Sequence, residues 1–503
     1  MRFYKLAQYP VHLGHDEVSQ LYDAISISQT GKDIYGEPYP FIFKSVNDYK
    51  PPFYTYATVV AYKIFGWQEV TIRITGALFG TLIISGVYLF ANEFLKSKGI
   101  ALIAAFLTAI SPFEIFYSRK SFENQAGIFL MLLGFFLLKR KRVFLGALLL
   151  ALSSYVYFAQ AVLVPIFLLT YIVFFWKDAK KYLFKALIVF LIVSAPLYYM
   201  IYTDPDASNR TKAVFITQDQ TVGSISMVKL ITVASERYIK QFNPKYLFLD
   251  GLDMTNGKRD IGPLFPVVAP FLLIGAYLLF KDLPAQAGKK NRGNALFVFA
   301  WIIIAMIPSG LTFEDYSPHR AIAAFTMLNV VSAVGVYWFY KRFGKVTLIL
   351  VLILLTLNLG YFIKRYAVNY AIERSEALHY PFREVALYAW ENYDKYDAIY
   401  FDPKFGEYAP WIGTGTQYYL AFYGHYPPDK MQKEYREGDQ LVRETKFGKF
   451  SIRAVFWPGD QNLKKTLIIA SPWSLPIDIS KQADIIKTFY FKTTAPAFYA
   501  IGL

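Results

Sequence analysis

Two neighbouring carboxylates, Asp16 and Glu17, open a polar loop rich in Gly and Pro, and a lysine followed by two prolines, Lys50-Pro51-Pro52, closes it (HLGHDE, TGKDIYGEPYP, YKPPF). Four further cations stand out by position: Arg119 and Lys120 in FYSRKSFENQ, and His319 and Arg320 in YSPHRAIAAF. An acidic pair in a polar loop is usually just solvated, and a cation beside an apolar run usually snorkels to a lipid headgroup. Together these residue types suit one chemistry. A carboxylate can take the proton of an attacking hydroxyl or amine. Lys and Arg donors stabilise a leaving phosphate whose charge grows as its bond to carbon breaks. Glu123 follows Arg119 by four residues, so on a helix the two would share a face and pair. A sugar carried on a polyprenyl phosphate is a donor that needs this combination, and a single displacement would invert its anomeric carbon.

The elements that must position these groups are membrane helices. The chain has 503 residues, 55% of them hydrophobic and 18% aromatic, with a positive mean hydropathy. Apolar runs of about 17–25 residues recur along most of it, which is the length a helix needs to cross a bilayer. Ten spans are expected: 70–95, 99–117, 124–138, 143–157, 162–176, 186–202, 263–280, 295–311, 321–340 and 346–363. Residues 53–66 are too short for an easy span and read as an interfacial helix. The net charge of +16 does not indicate nucleic acid, because its lysines and arginines gather in short clusters between spans. The runs at Lys96 and Lys98, Lys139 to Arg142, Lys177 to Lys185, Lys281 to Arg292 and Lys341 to Lys345 fall in alternate loops. By the positive-inside bias those loops are cytoplasmic. The other set, which includes the Asp16 loop, 118–123, 203–262, 312–320 and everything after 363, is then extracytoplasmic. Asp250, Asp253 and Arg259 of the long 203–262 loop carry no pattern that assigns them a role.

Residues 364–503 differ in kind. PFREVALYAWENY is amphipathic and helical, and DAIYF, FSIRAVF, KTLIIAS, IIKTFYF and PAFYAIGL are strand-like runs between breakers. A small extracytoplasmic α/β domain is expected, serving as scaffold or acceptor-docking cap. It has no Gly-rich phosphate fingerprint. There is no cysteine, which excludes disulfides and thiolate chemistry. The five histidines lack zinc-site spacing. A divalent cation, Mg or Mn, would have only Asp16 and Glu17 to hold it, so no cofactor is expected to be required.

These stretches resemble the first extracytoplasmic loop of the GT-C type, family 39 glycosyltransferases, which include the protein O-mannosyltransferases and the lipid A aminoarabinose transferases. IFYSRKSFENQAGIFLMLLGFF, SPHRAIAAFTML and NPKYLFLDGLDMTNGKRDIGPLFPVVAPFLLIGAY are similar to later helix-start segments of their bacterial relatives, and the resemblance covers roughly residues 9 to 363. It implies an integral membrane α-helical protein of about 10–12 transmembrane helices, GT-C type, with the C-terminal extracytoplasmic α/β domain. The divisions expected are 1–66, the first loop and interfacial helix; 67–363, the multi-pass domain with its loop 203–262; and 364–503. Asp16 would be the catalytic base and Glu17 its supporting acid. Lys50 would bind the carrier phosphate, with Arg119, Lys120, His319 and Arg320 as further ligands and Glu123 in support. The family carries a transmembrane helix before the acidic pair, and residues 1–10 contain no apolar run of that kind.

The expected activity is transfer of a sugar from a polyprenyl-phosphate donor to a lipid, glycan or protein acceptor at the outer face of the cell membrane. Two alternatives use similar substrates: a transporter or flippase of a lipid-linked sugar, and a polymerase or ligase of surface polysaccharide. A transporter would show repeats or broken midplane helices with intramembrane charges.

Overall fold

The computed structural model describes the whole chain except residues 46–47, 205–214, 217–226, 253–259, 282–288, 313–315, 414 and 439–442. Much of the 203–262 loop, including Asp253 and Arg259, therefore lies outside the described residues. In chain order the principal helices are α1 (His15–Thr30), α2 (Phe53–Phe65), α3 (Glu69–Leu95), α4 (Lys98–Ile110), α5 (Pro112–Arg119), α6 (Asn124–Lys139), α7 (Val143–Ser154) and α8 (Phe158–Thr203). They continue with α9 (Met227–Lys240), α10 (Ala269–Lys281), α11 (Lys289–Ala305), α12 (Ile322–Phe343), α13 (Lys345–Lys364), α14 (Phe382–Glu391), α15 (Thr416–Tyr423) and α16 (Pro428–Glu434).

The chain divides into two compact units. The first comprises Met1–Tyr4, Asp48–Tyr54 and Thr75–Arg365; the second comprises Lys5–Asn47, Thr55–Ile74 and Tyr366–Leu503. These cut across the sequence divisions at 66 and 363, because the acid-bearing helix α1 belongs to the same unit as the C-terminal sheet.

The first unit is a helical bundle. Among the described residues six helices are long and apolar enough to cross a membrane: Glu69–Leu95, Phe158–Trp176, Tyr182–Thr203, Gly293–Gly310, Ile322–Phe343 and Lys345–Glu373. The pair α4 and α5, bent by 53°, makes a seventh if it is one span, and three shorter apolar helices accompany them. Each corresponds to one of the ten expected spans. Pro112 opens α5; a proline has no N–H to give and clashes with the preceding turn, which accounts for the bend.

The helical run α8 holds two of those spans. Its Tyr198 hydroxyl donates to the Ala161 carbonyl at 2.6 Å. A straight helix would separate these residues by roughly 55 Å, so the run doubles back on itself as a hairpin. The expected reversal between spans 162–176 and 186–202 is therefore present, with the turn falling between Phe158–Trp176 and Tyr182–Thr203.

Burial grades the bundle. The apolar window of α12 is 83% buried, whereas that of the α13 span is 22% buried. A helix apolar all round and buried is a core helix; one apolar and exposed needs lipid. α10 and α12 pack backbone to backbone, because a Cβ on Gly275 would lie 2.0 Å from the Val331 carbonyl and one on Gly335 the same distance from that of Phe271. Small residues permit such approach where lipid supplies no hydrophobic drive between helices.

The second unit is built on a six-stranded mixed sheet of β1 (Ala398–Phe401), β2 (Thr445–Phe447), β3 (Phe450–Ile452), β4 (Thr466–Ala470), β5 (Ile485–Tyr490) and β6 (Pro496–Gly502), in the spatial order β2-β3-β1-β4-β6-β5. β1 runs parallel to β3 and β4, and the remaining pairs are antiparallel. All five expected strands form, and α14 is the expected helix. β4 is buried along its whole length, as a central strand with covered faces must be. Phe382 of α14 packs against Phe401 and Phe498 of the sheet at ring separations of 5.7 and 5.4 Å. α1 is held within this unit by α16 and the segment just before it. Tyr22 donates to the Tyr426 carbonyl at 2.7 Å, and Gln432 of α16 donates to Ser26 and Thr30 at 3.0 and 2.8 Å.

Candidate active site

The acidic pair sits in the first turn of α1, where the helix dipole favours negative charge. The two carboxylates have different surroundings. Glu17 is buried; it accepts the Gly14 N–H at 2.8 Å and pairs with Arg73 at 3.3 Å. Arg73 is fully buried and donates also to the carbonyls of Leu6 (3.1 Å), Pro10 (2.8 Å) and His12 (2.6 Å). Asp16 keeps its side chain 42% exposed and has the His15 Nε2 at 3.7 Å. His15 in turn meets the buried ring of His379 edge-on, at 5.3 Å. Burial drives His379 well below the ordinary histidine range. One carboxylate of the pair is thus committed to structure and the other faces outward.

The candidate cations belong to the first unit, whereas Asp16 and Glu17 belong to the second. Lys50 is buried and pairs with Glu123 at 3.4 Å, their side chains 4% and 7% exposed. Arg320 is also buried and donates to the Ser317 hydroxyl at 2.9 Å. Tyr157 gathers these groups: its hydroxyl is hydrogen-bonded to Arg320 and lies in the field of Glu123 and Lys50. Tyr157 and Arg320 line a cavity of about 290 Å³ whose other walls, including Phe158, Ala159, Val162 and Leu311, are almost wholly apolar.

The remaining candidates are engaged differently. Arg119 Nη1 donates to the carbonyls of Met1 (2.6 Å) and Arg2 (3.0 Å). Lys120 is half-buried, 5.9 Å from the ring centres of both Phe116 and Phe122. His319 accepts through its carbonyl from Asn124 at 2.5 Å and packs its ring on Phe122 at 5.5 Å. The helical spacing expected between Arg119 and Glu123 does not apply. α5 ends at Arg119, Ser121 has a positive φ of 56°, and α6 starts at Asn124. Glu123 pairs with Lys50.

Among the described residues no group of three or more His, Asp and Glu side chains could hold a metal ion. With both Glu17 oxygens taken by Arg73 and Gly14, Asp16 alone would be a poor ligand set for a divalent cation.

The sequence reasoning passed over Arg73, Tyr157 and His12. Arg73 had a legible signal, a lone arginine within the apolar run EVTIRITGALFG, since an ionisable residue in a span marks a partner or a site. Tyr157 and His12 had none, because both depend on contacts distant in sequence.

Residues 49–199 match the family model described as dolichyl-phosphate-mannose-protein mannosyltransferase. No curated protein sequence matches the chain. The fold is similar to that of ArnT from Cupriavidus metallidurans bound to undecaprenyl phosphate, at 13% identity and a TM-score of 0.56, over 99% of this chain and 95% of that one. ArnT in the apo state gives 12% identity and a TM-score of 0.54 over the same shares. The chain shares the GT-C fold of ArnT, and within it residues 49–199 resemble that family model. The GT-C architecture accounts for the helical bundle and sheet-bearing unit together, and the family-model match includes Lys50, Arg119, Lys120, Glu123 and Tyr157. Asp16, Glu17, His319 and Arg320 lie outside the matched residues.

Proposed function

We propose that the protein is a membrane glycosyltransferase that moves a sugar from a polyprenyl-phosphate donor to a lipid, glycan or protein acceptor on the extracytoplasmic side. The observation that carries this reading is the apolar cavity with Arg320 and Tyr157 among its lining residues. An isoprenoid tail suits the apolar part and a phosphate suits the cation. A chain of GT-C fold whose neighbour ArnT was crystallised with undecaprenyl phosphate is a natural host for that ligand.

The chemistry follows from the charges. Asp16 takes the proton of the acceptor as its oxygen or nitrogen attacks C1 of the sugar. The bond from C1 to the phosphate oxygen breaks, and the electron pair stays on the phosphate. Lys50 and Arg320 stabilise that growing negative charge, an effect felt more in the transition state than in the bound donor. Glu123 balances Lys50 until the phosphate takes its place. A single displacement of this kind inverts C1. Every role falls to a side chain, so the reading includes no obligatory metal or cofactor.

One observation favours a lipid-linked-sugar transporter: the bent pair α4 and α5 carries the fully buried Glu114, and broken helices with intramembrane charge are a transporter device. Purified protein in vesicles, given a labelled polyprenyl-phosphate sugar and an acceptor, separates the two readings. Release of polyprenyl phosphate is the outcome expected. Movement of intact donor across the bilayer without release would establish the transporter instead. The natural absence of cysteine also makes the membrane face testable. A cysteine at the exposed Tyr408 should label in intact cells, and one at Lys141 only after permeabilisation; the reverse pattern would overturn the assigned face.

A further inference from the structure

The backbone just before Asp16 is pinned more heavily than a loop requires. Arg73 takes the carbonyls of Pro10 and His12. The Tyr419 hydroxyl donates to the carbonyl of Leu13 at 2.8 Å, and Glu17 accepts the Gly14 N–H. The His12 side chain completes the set. Its Nε2 accepts the backbone N–H of Arg383 at 3.1 Å. An imidazole nitrogen that accepts from a backbone amide carries no proton, so the proton must lie on Nδ1. Nδ1 stands 2.9 Å from the Leu378 carbonyl and 2.7 Å from that of Leu13. The ring is 1% exposed, and burial lowers its proton affinity to a pKa of about 3, so it is neutral at any working pH.

We propose that His12 is a positioning residue: a neutral imidazole clasp joining the segment before α1 to residues 378–383, which fixes the direction of the Asp16 carboxylate. The inference rests on the reading of Asp16 as the base. A helix start held only by its own hydrogen bonds frays. Here residues 10, 12, 13 and 14 each have a backbone group bound by a buried side chain, and Asp16 follows two residues later. Misplacing a reacting group by about 1 Å can cost about 10²-fold in rate. Such fixing matters for a proton acceptor and little for the binding of a donor phosphate.

The test compares His12→Ala, His12→Asn and Asp16→Asn with the wild-type protein in nanodiscs, measuring kcat, donor KM and thermal stability. Asn can place its amide near the Nδ1 position and restore the bond to Leu378 or Leu13. His12→Ala should lower kcat about 10²-fold per folded molecule with donor KM within about twofold, and His12→Asn should recover most of the loss. If His12→Ala lowers stability while kcat per folded molecule stays near wild type, and Asp16→Asn is inactive, the clasp is structural only and the base assignment survives. Wild-type turnover by Asp16→Asn would remove the base and the positioning role together.

Discussion

The acidic start of α1 and the cationic group around Tyr157 solve the same problem in opposite ways. In the acidic pair, charge compensation is unequal: Glu17 has its own buried arginine, and Asp16 stays 42% exposed. Around Tyr157 compensation is shared, with Lys50 paired to Glu123 and Arg320 bonded to the Ser317 and Tyr157 hydroxyls. A base must be open to its acceptor. A phosphate site can be buried, because its ligand brings the compensating charge. Under the proposed mechanism, exposure separates the carboxylate that reacts from the charges that hold.

That contrast is broken most strongly at Arg73. Arg73→Met leaves the Glu17 carboxylate and three carbonyls without their donor, and loss of one partner of a buried pair costs about 3–5 kcal/mol. Thermal unfolding of the sheet-bearing unit should show it. Arg383→Met, which removes a half-exposed partner of Glu69, should cost about 1 kcal/mol or less, and equal effects would erase the distinction.

Lys50→Gln tests the other side. Glutamine keeps a donor for Glu123 but removes the charge that a leaving phosphate needs. Turnover should fall about 10²-fold with the fold intact; unchanged turnover would reassign Lys50 to balancing Glu123 alone. A smaller effect is expected in the cavity. Leu311→Trp fills part of its about 290 Å³ and should raise KM about tenfold for a long-chain donor, but not for one with a single isoprene unit. Equal KM changes for both donors would show that the tail lies elsewhere.

Much of this arrangement was legible in the sequence, for reasons of period and length. Apolar runs of membrane length announce helices whatever their partners, so ten spans could be placed. Alternating apolar residues in DAIYF and PAFYAIGL announced strands. The fate of the site residues was less legible. Asp16 and Glu17 are equivalent by type, and only Arg73, 56 residues further along the chain from Glu17, divides them. Glu123 read as a helical neighbour of Arg119, but the turn at Ser121 sends it to Lys50. Ion pairs across such distances leave no local pattern, whereas periodicity does.

A further prediction concerns pH. In the folded protein His12 remains neutral down to a pKa of about 3, whereas the unfolded chain takes up that proton from about 6.5. Folded stability therefore declines as pH falls from about 6.5 toward 3, by about 1.4 kcal/mol per unit at most. Asn does not titrate, so the stability advantage of wild type over His12→Asn should shrink on acidification. An advantage that grows would mean the folded imidazole is charged.

The most direct measurement of the central claim is release of polyprenyl phosphate from a panel of radiolabelled polyprenyl-phosphate sugars, by wild type and Asp16→Asn in parallel. The account predicts release with at least one donor and an acceptor, lost in Asp16→Asn although the variant folds and still binds the carrier. Equal release by the two proteins would contradict it.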